Sequence, residues 1–271
     1  MRNFNSWPNP VPKYLGPKEL EVVARLSSEK TDVISYDEMK QLFGKDKPVK
    51  NLVYQLKTKG ILRTIKKGLY WYSPYEKGGK GKGEDEIPSI LFPKDNYYVG
   101  YATMFNRYGF TDQISQTTYI LNTTIQKERI ISGVLYKLLR VSPARMYGLT
   151  KYYGKDNKKA IIIESDKERT LVDLFHVPEF VGGLGPAIEV FKKLVSENEI
   201  NIDKFIDYAA RFPFKETRKR IGYALELVKV QETKLQALAE SVKDTAYIPL
   251  NGNERAGVHN KKWRLIIDDL K

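Results

Sequence analysis

The sequence predicts an α+β protein in two parts: a small, basic, mostly helical domain ending in a β-hairpin, then a larger mixed α/β domain. Three observations predict it. The glycine- and charge-rich stretch YEKGGKGKGEDEIP, residues 75–88, holds no apolar residue between Tyr75 and Ile87 and divides the chain as a linker would. Apolar residues before it recur at helical spacing and then give way to two short β-prone runs, whereas helical and strand-like patterns are mixed after it. The expected division is therefore a first domain over residues 1–75, a flexible linker over 76–88 and a second domain over 89–271.

Composition supports folding and suggests a partner. At 271 residues with 41% hydrophobic and 12% aromatic residues, the chain has enough apolar material for two cores. Its 46 Lys and Arg against 33 Asp and Glu leave a net charge of +13, which favours a polyanionic partner such as nucleic acid. Residues 1–73 alone hold 14 Lys and Arg against 7 Asp and Glu, so more than half of the excess sits in just over a quarter of the chain. The absence of cysteine excludes disulfides, thiolate metal sites and cysteine nucleophiles, and two distant histidines, His176 and His259, make poor metal ligands. No signal-peptide pattern or long apolar run is present, so the expected compartment is the cytoplasm, with no membrane partner.

In the first domain, GPKELEVVARLSSEK (16–30) reads as a helix with Pro17 in its first turn and Leu20, Val23, Ala24 and Leu26 near one face. ISYDEMKQLFG offers Ser35 as N-cap, Glu38 as its capping-box partner and Gly44 as the stop of a short second helix. A third helix starts near Pro48, places Val49, Leu52, Val53 and Leu56 at i, i+3, i+4 and i+7, and stops at Gly60. ILRTI and LYWYS, separated by KKG, suit a hairpin.

That order is the order of a winged helix-turn-helix, in which the third helix enters the major groove and the hairpin is the wing. The outward residues of that helix supply the candidate DNA contacts. Asn51 and Tyr54 are suited to base edges, and Lys47, Lys50 and Lys57, with Thr58 on the same face, are better suited to phosphates. Arg63, Lys66 and Lys67 on the hairpin are placed for backbone phosphates or the minor groove, where a cation releases counterions without specifying sequence.

In the second domain, NYYVGYATMFNRYGF reads as a short strand and a helix stopped by Gly109. QTTYILNTT, VLYKLLRV and KKAIIIES read as strands. DKERTLVDLFHVPEF turns helical, with Leu171, Val172, Leu174 and Phe175 on its apolar face. Further helices are expected at 184–197, 201–211 and, as one long element, 215–241. RLIID near the C-terminus reads as a final strand.

Glu164, Asp166, Glu168 and Asp173 gather around IIIESDKERTLVD, but ESDK lacks the spacing of a metal-dependent nuclease strand, and acids at a helix start favour its dipole. His176 has no Ser, Cys or carboxylate motif beside it and reads as a hydrogen-bonded, partly buried side chain. A second basic surface is suggested by Arg211, Lys215, Arg218, Lys219 and Arg220 at a helix start, where cations oppose the dipole. Lys261 and Lys262, with Arg255 and Arg264, either flank a buried anchor strand or extend that basic surface.

The segments YYVGYATMFNRYGFTDQISQTTYILNTT, IESDKERTLVDLFHVPEFVGG, KRIGYALEL and YIPLNGNERAGVHNKKWRLIIDDL, in that order after the predicted winged helix, resemble the AbiEi family of antitoxins and transcriptional regulators. The resemblance implies a non-enzymatic protein of a type IV toxin–antitoxin (abortive infection) system, without cofactors. Its winged helix would bind inverted repeats in its own promoter, with a homodimer on DNA. Its C-terminal domain would counteract a nucleotidyltransferase-like toxin without necessarily binding it. It also marks Glu168 and Arg169 as part of a structural ERT motif tying helix to sheet. Two other readings are an interaction protein that directly binds and blocks the toxin, and a nuclease using Glu164.

Overall fold

The computed structural model describes residues 14–28, 33–44, 46–72, 84–113, 115–131, 133–154, 160–251 and 257–267. The protein is mixed α/β with several sheets and forms two compact units. One comprises residues 1–93, 130–133 and 153–161, and the other the remainder.

The first unit runs α1 (Pro17–Ser28), β1 (Val33–Ser35), α2 (Tyr36–Phe43), α3 (Asp46–Thr58), β2 (Leu62–Lys66), β3 (Leu69–Tyr72) and, after a 3₁₀ turn at Glu84–Glu86, α4 (Ile87–Leu91). The capping box forms as expected. The Glu38 N–H donates to Ser35 Oγ at 3.1 Å, and the Ser35 N–H donates to the Glu38 carboxylate at 2.6 Å. Gly44, at φ +84°, ends α2 with its N–H on the Lys40 carbonyl at 2.8 Å. On α3, Val49, Leu52, Val53 and Leu56 are all buried and share one core with Val22, Leu26, Ile34 and Met39. Each such side chain contributes about 1.5–3 kcal/mol on leaving water.

Two expectations for this unit need correction. The buried face of α1 is Glu19, Val22 and Leu26, while Leu20 is 52% exposed, Ala24 is exposed and Val23 is only half-buried. The reason is electrostatic. The Glu19 carboxylate accepts from Lys59 Nζ at 2.5 Å and from the Gly16 N–H at 2.6 Å, so an acid can occupy a core-facing position. Residues 76–83 of the expected linker lie outside the described residues, but residues 84–88 are not linker. They form the 3₁₀ turn and the start of α4, with Glu86, Ile87 and Pro88 buried and Pro88 in the first turn, where its missing N–H costs nothing.

The strand β1, three residues long, was not expected. It joins the hairpin in an antiparallel sheet of order β1-β3-β2, pairing Val33 with Trp71 and Ser35 with Leu69. The hairpin turns at Lys67 and Gly68, where φ is +75°. The Gly68 carbonyl accepts the Tyr36 N–H at 2.7 Å, so the tip is bonded to the first residue of α2.

The second unit is organised on β4 (Tyr97–Val99), β5 (Thr117–Asn122), β6 (Lys127–Ile131), β7 (Val134–Arg140), β8 (Leu149–Tyr153) and β9 (Ile161–Ser165) in the order β6-β7-β5-β4-β9-β8. The pair β4–β5 is antiparallel, and β4–β9 and β5–β7 are parallel. The helices are α5 (Ala102–Arg107), α6 (Lys167–His176), α7 (Leu184–Ser196), α8 (Ile202–Arg211), α9 (Lys215–Leu227) and α10 (Glu232–Glu240). A small sheet of β10 (Ile248–Pro249), β12 (Leu265–Ile267) and β11 (Val258–Asn260) follows. The single helix expected over 215–241 is instead α9 and α10. Lys229 adopts φ +58° between them, and α10 folds back onto α8 and α9. No glycine or proline marks this break, because a non-glycine residue takes the left-handed position.

The interior of this unit holds charge. Asp173 accepts from Arg145 Nη2 at 2.7 Å and lies 2.7 Å from Arg169 Nη1, all three side chains being essentially without solvent contact. Arg169 also donates to the Tyr98 hydroxyl on β4 at 3.0 Å, which ties α6 to the sheet. Among the described residues no helix is long and apolar enough to cross a membrane.

Two stability predictions follow from these contacts. A Cβ added at Gly222 in α9 would lie 2.1 Å from the buried Trp263 ring. Gly222→Ala, which in an open helix would stabilise, should therefore cost about 1–3 kcal/mol in chemical denaturation. Burial works to raise the Glu19 pKa, but the hydrogen bonds from Lys59 and the Gly16 amide outweigh it and hold the group below its ordinary 4.5. Its stabilisation is thus present above pH 4.5 and lost as pH falls through the lower folded value. Glu19→Gln should lower stability at pH 7 by about 1–3 kcal/mol and flatten the acid limb of the stability–pH curve; an unchanged acid limb would remove Glu19 as its source.

Candidate nucleic-acid interface

One continuous segment of the first unit is rich in cations. From Pro48 to Tyr72 there are six Lys and Arg (Lys50, Lys57, Lys59, Arg63, Lys66, Lys67) and no Asp or Glu. The burial of one α3 stripe turns Lys50, Asn51, Tyr54, Lys57 and Thr58 outward, all exposed, with Tyr54 at 71%. Lys47 lies on α3, but its side chain is outside the described residues. Lys59 is withdrawn from this face by its pairing with Glu19 and by donation to the Tyr14 carbonyl at 3.1 Å.

Helix α3 packs against β2, so the hairpin cations belong to the same unit as the helix face. Lys67 is exposed at the turn, and Arg63 and Lys66 are half-exposed on β2. The hairpin register pairs Arg63 with Trp71, and an irregularity between Thr64 and Lys66 brings Lys66 opposite Leu69. Cations spread over a helix face and an adjoining turn can neutralise several phosphates, each releasing counterions.

Sequence reading missed two features of this face. Gln55 is exposed one turn from Asn51, and its place beside the buried stripe was the available signal. The Thr58 hydroxyl donates to the Tyr54 carbonyl at 3.0 Å, a bond that a sequence pattern does not specify.

The second basic surface does not survive as expected. Lys219 is 2% exposed and donates its ammonium to the Ala246 carbonyl at 2.5 Å, burial holding its pKa below the ordinary lysine range. Arg218 Nε donates to the Phe212 carbonyl at the end of α8 at 2.6 Å, and Arg220 points at the Phe175 carbonyl in the last turn of α6 at 3.5 Å. Arg211 pairs with Asp207 at 3.3 Å and lies over the Tyr147 ring at 4.8 Å. Two of these cations, Arg218 and Arg220, therefore meet carbonyls left open at helix ends, a role that the dipole argument overlooked. Lys215 and Lys261 are exposed, whereas Lys262 is held by Glu232 at 2.6 Å and Glu226 at 3.4 Å. Arg264 donates to the Lys243 carbonyl at 2.6 Å, and Arg255 lies outside the described residues.

The carboxylates around α6 are engaged one by one. Asp166 is the N-cap, accepting the Arg169 N–H at 2.8 Å and the Tyr208 hydroxyl at 3.0 Å. Glu168 accepts from the Asn201 N–H and from Lys204, each at 2.9 Å. Glu164 pairs with Arg107, and Asp173 with the two buried arginines. Among the described residues no three His, Asp or Glu come together in a way that could hold a metal ion. His176 is stacked on Phe214 at 4.6 Å with Nδ1 3.1 Å from Thr217 Oγ1, and burial lowers its pKa to about 4, so it is neutral near pH 7.

No family model and no curated protein matches the chain. Among solved structures it is similar to the crystal structure of the RV2827C protein from Mycobacterium tuberculosis, with a TM-score of 0.64 and 14% identity over 93% of this chain and 92% of that one. At that identity the likeness extends to the fold, which the two proteins share over nearly their whole lengths.

Proposed function

We propose that the protein binds double-stranded DNA as a winged helix-turn-helix, with α3 as recognition helix and the β2–β3 hairpin as wing, and that it represses its own promoter as an antitoxin of the AbiEi type. The observation that carries the DNA-binding reading is the outward face of α3, which combines Lys50, Asn51, Tyr54, Lys57 and Thr58 with no acid after Asp46 at the helix start and adjoins the cationic hairpin. Supporting it are the order α1, β1, α2, α3, β2, β3 and the antiparallel sheet through which the hairpin is held. The regulatory context, including a nucleotidyltransferase-like toxin counteracted by the second unit, rests on the resemblance of the segments quoted above. In this reading the buried arginines, Lys219 and the α6 carboxylates are scaffold.

An electrophoretic shift with the upstream promoter duplex at two salt concentrations tests the proposal. Wild type should bind more weakly at the higher salt. Lys50→Ala combined with Asn51→Ala should lose about ten-fold or more in affinity, the Lys50 change also lowering the salt slope by about one. Both sites are exposed, so the melting temperature should hold; unaltered promoter affinity in the double variant would reject α3 as the recognition helix.

A further inference from the structure

The face of α3 is patterned more finely than a merely basic surface requires. At about 100° of rotation per residue, Asn51, Tyr54 and Thr58 form a ridge opposite the buried Val49, Leu52, Val53 and Leu56. Gln55 stands to one side of that ridge, and Lys50 and Lys57 stand to the other. Along α3 there is no Arg, the side chain best shaped for guanine, and its single acid, Asp46, is the first residue of the helix, so none stands on the ridge to accept from the amino group of cytosine. The two amides present, Asn51 and Gln55, are of the type whose paired donor and acceptor match N6 and N7 of adenine. They are four residues apart, about 6 Å along the helix, which is near the rise of two base-pair steps at about 3.4 Å each.

Thr58 adds an independent observation. Its hydroxyl donates to the Tyr54 carbonyl at 3.0 Å, so the proton is used inside the helix and the side chain has only its methyl and an accepting oxygen to offer at the exposed surface. A methyl in the major groove has one apolar counterpart, the C5-methyl of thymine.

Resting on the DNA-binding reading above, we propose that α3 selects adenine–thymine base pairs in the major groove. Asn51 and Gln55 each hydrogen-bond an adenine, the Thr58 methyl packs on a thymine methyl, and Lys50 and Lys57 hold the phosphates along one flank.

The test is selection of randomised duplexes with the full chain at two salt concentrations, followed by affinities for modified versions of the selected duplex. Adenine or thymine should be enriched at the selected positions. Replacing a selected adenine by 7-deazaadenine, which lacks the N7 acceptor, should weaken wild type about five- to ten-fold and leave either Asn51→Ala or Gln55→Ala indifferent at its own position. Replacing the contacted thymine by deoxyuridine should cost wild type about three-fold and cost Thr58→Ser nothing, the methyl being already absent. Enrichment of guanine–cytosine pairs, or no base preference, or indifference of wild type to both modified bases, would overturn the adenine–thymine assignment while leaving duplex binding intact. Failure to bind any duplex at low salt would overturn this assignment and the DNA-binding reading together.

Discussion

Burial of Val49, Leu52, Val53 and Leu56 ties the rotation of α3 to the core of the first unit, and the chemistry of the exposed surface depends on that constraint. A slip of one residue, about 100°, would carry Lys50 toward the apolar interior and bring an aliphatic side chain to the surface. The capped start of α2, the left-handed glycines that end α2 and α3, and the Glu19–Lys59 pair all hold the same arrangement from its ends. The polar face is thus presented by packing that contains none of its own residues.

The second unit solves a different problem, because one cluster in its core encloses two guanidinium groups and one carboxylate. One positive charge is left over, and the surrounding rings carry part of the compensation. Arg145 lies over Tyr101 and Phe212 at 5.5 and 5.0 Å, and Arg169 over Tyr98, Tyr147 and Phe212 at 5.6, 5.2 and 5.1 Å. Removing Asp173 would leave both cations without a counter-charge in a dry interior, so the three residues function as one group. The Tyr98 and Tyr101 hydroxyls are each hydrogen-bonded to one of these arginines, and burial raises their pKa above the ordinary tyrosine value.

Elements marked by local chemistry were legible in the sequence. The capping box at Ser35, the stripe on α3, the Gly60 and Gly109 stops and the KKG turn all encode their structure within a few residues, and each appears where it was expected. Misread elements depended on partners distant in the chain. Glu19 faces inward where Lys59, forty residues away, meets it together with the local Gly16 amide, and Lys219 is buried where the Ala246 carbonyl receives it. The strand β1 is too short to show a period and exists through pairing with β3. For the candidate interface, the outward residues of α3 followed directly from periodicity. The exposure of Gln55 was available from that same periodicity, but the inward bond of Thr58 required coordinates.

The bond from the Tyr36 amide to the Gly68 carbonyl has a mechanical meaning. A hairpin anchored only at its base could swing like a lever, but this one is also fastened at its tip to the helix preceding α3. The hairpin is therefore held to the helical part of the unit at its tip as well as along β1 and α3, which limits how far their span can change. Under the proposed DNA-binding reading, a difference between that span and the width of a groove would fall in part on the nucleic acid, and the stiffness of the bases between the gripped points would enter the affinity even where no side chain touches them.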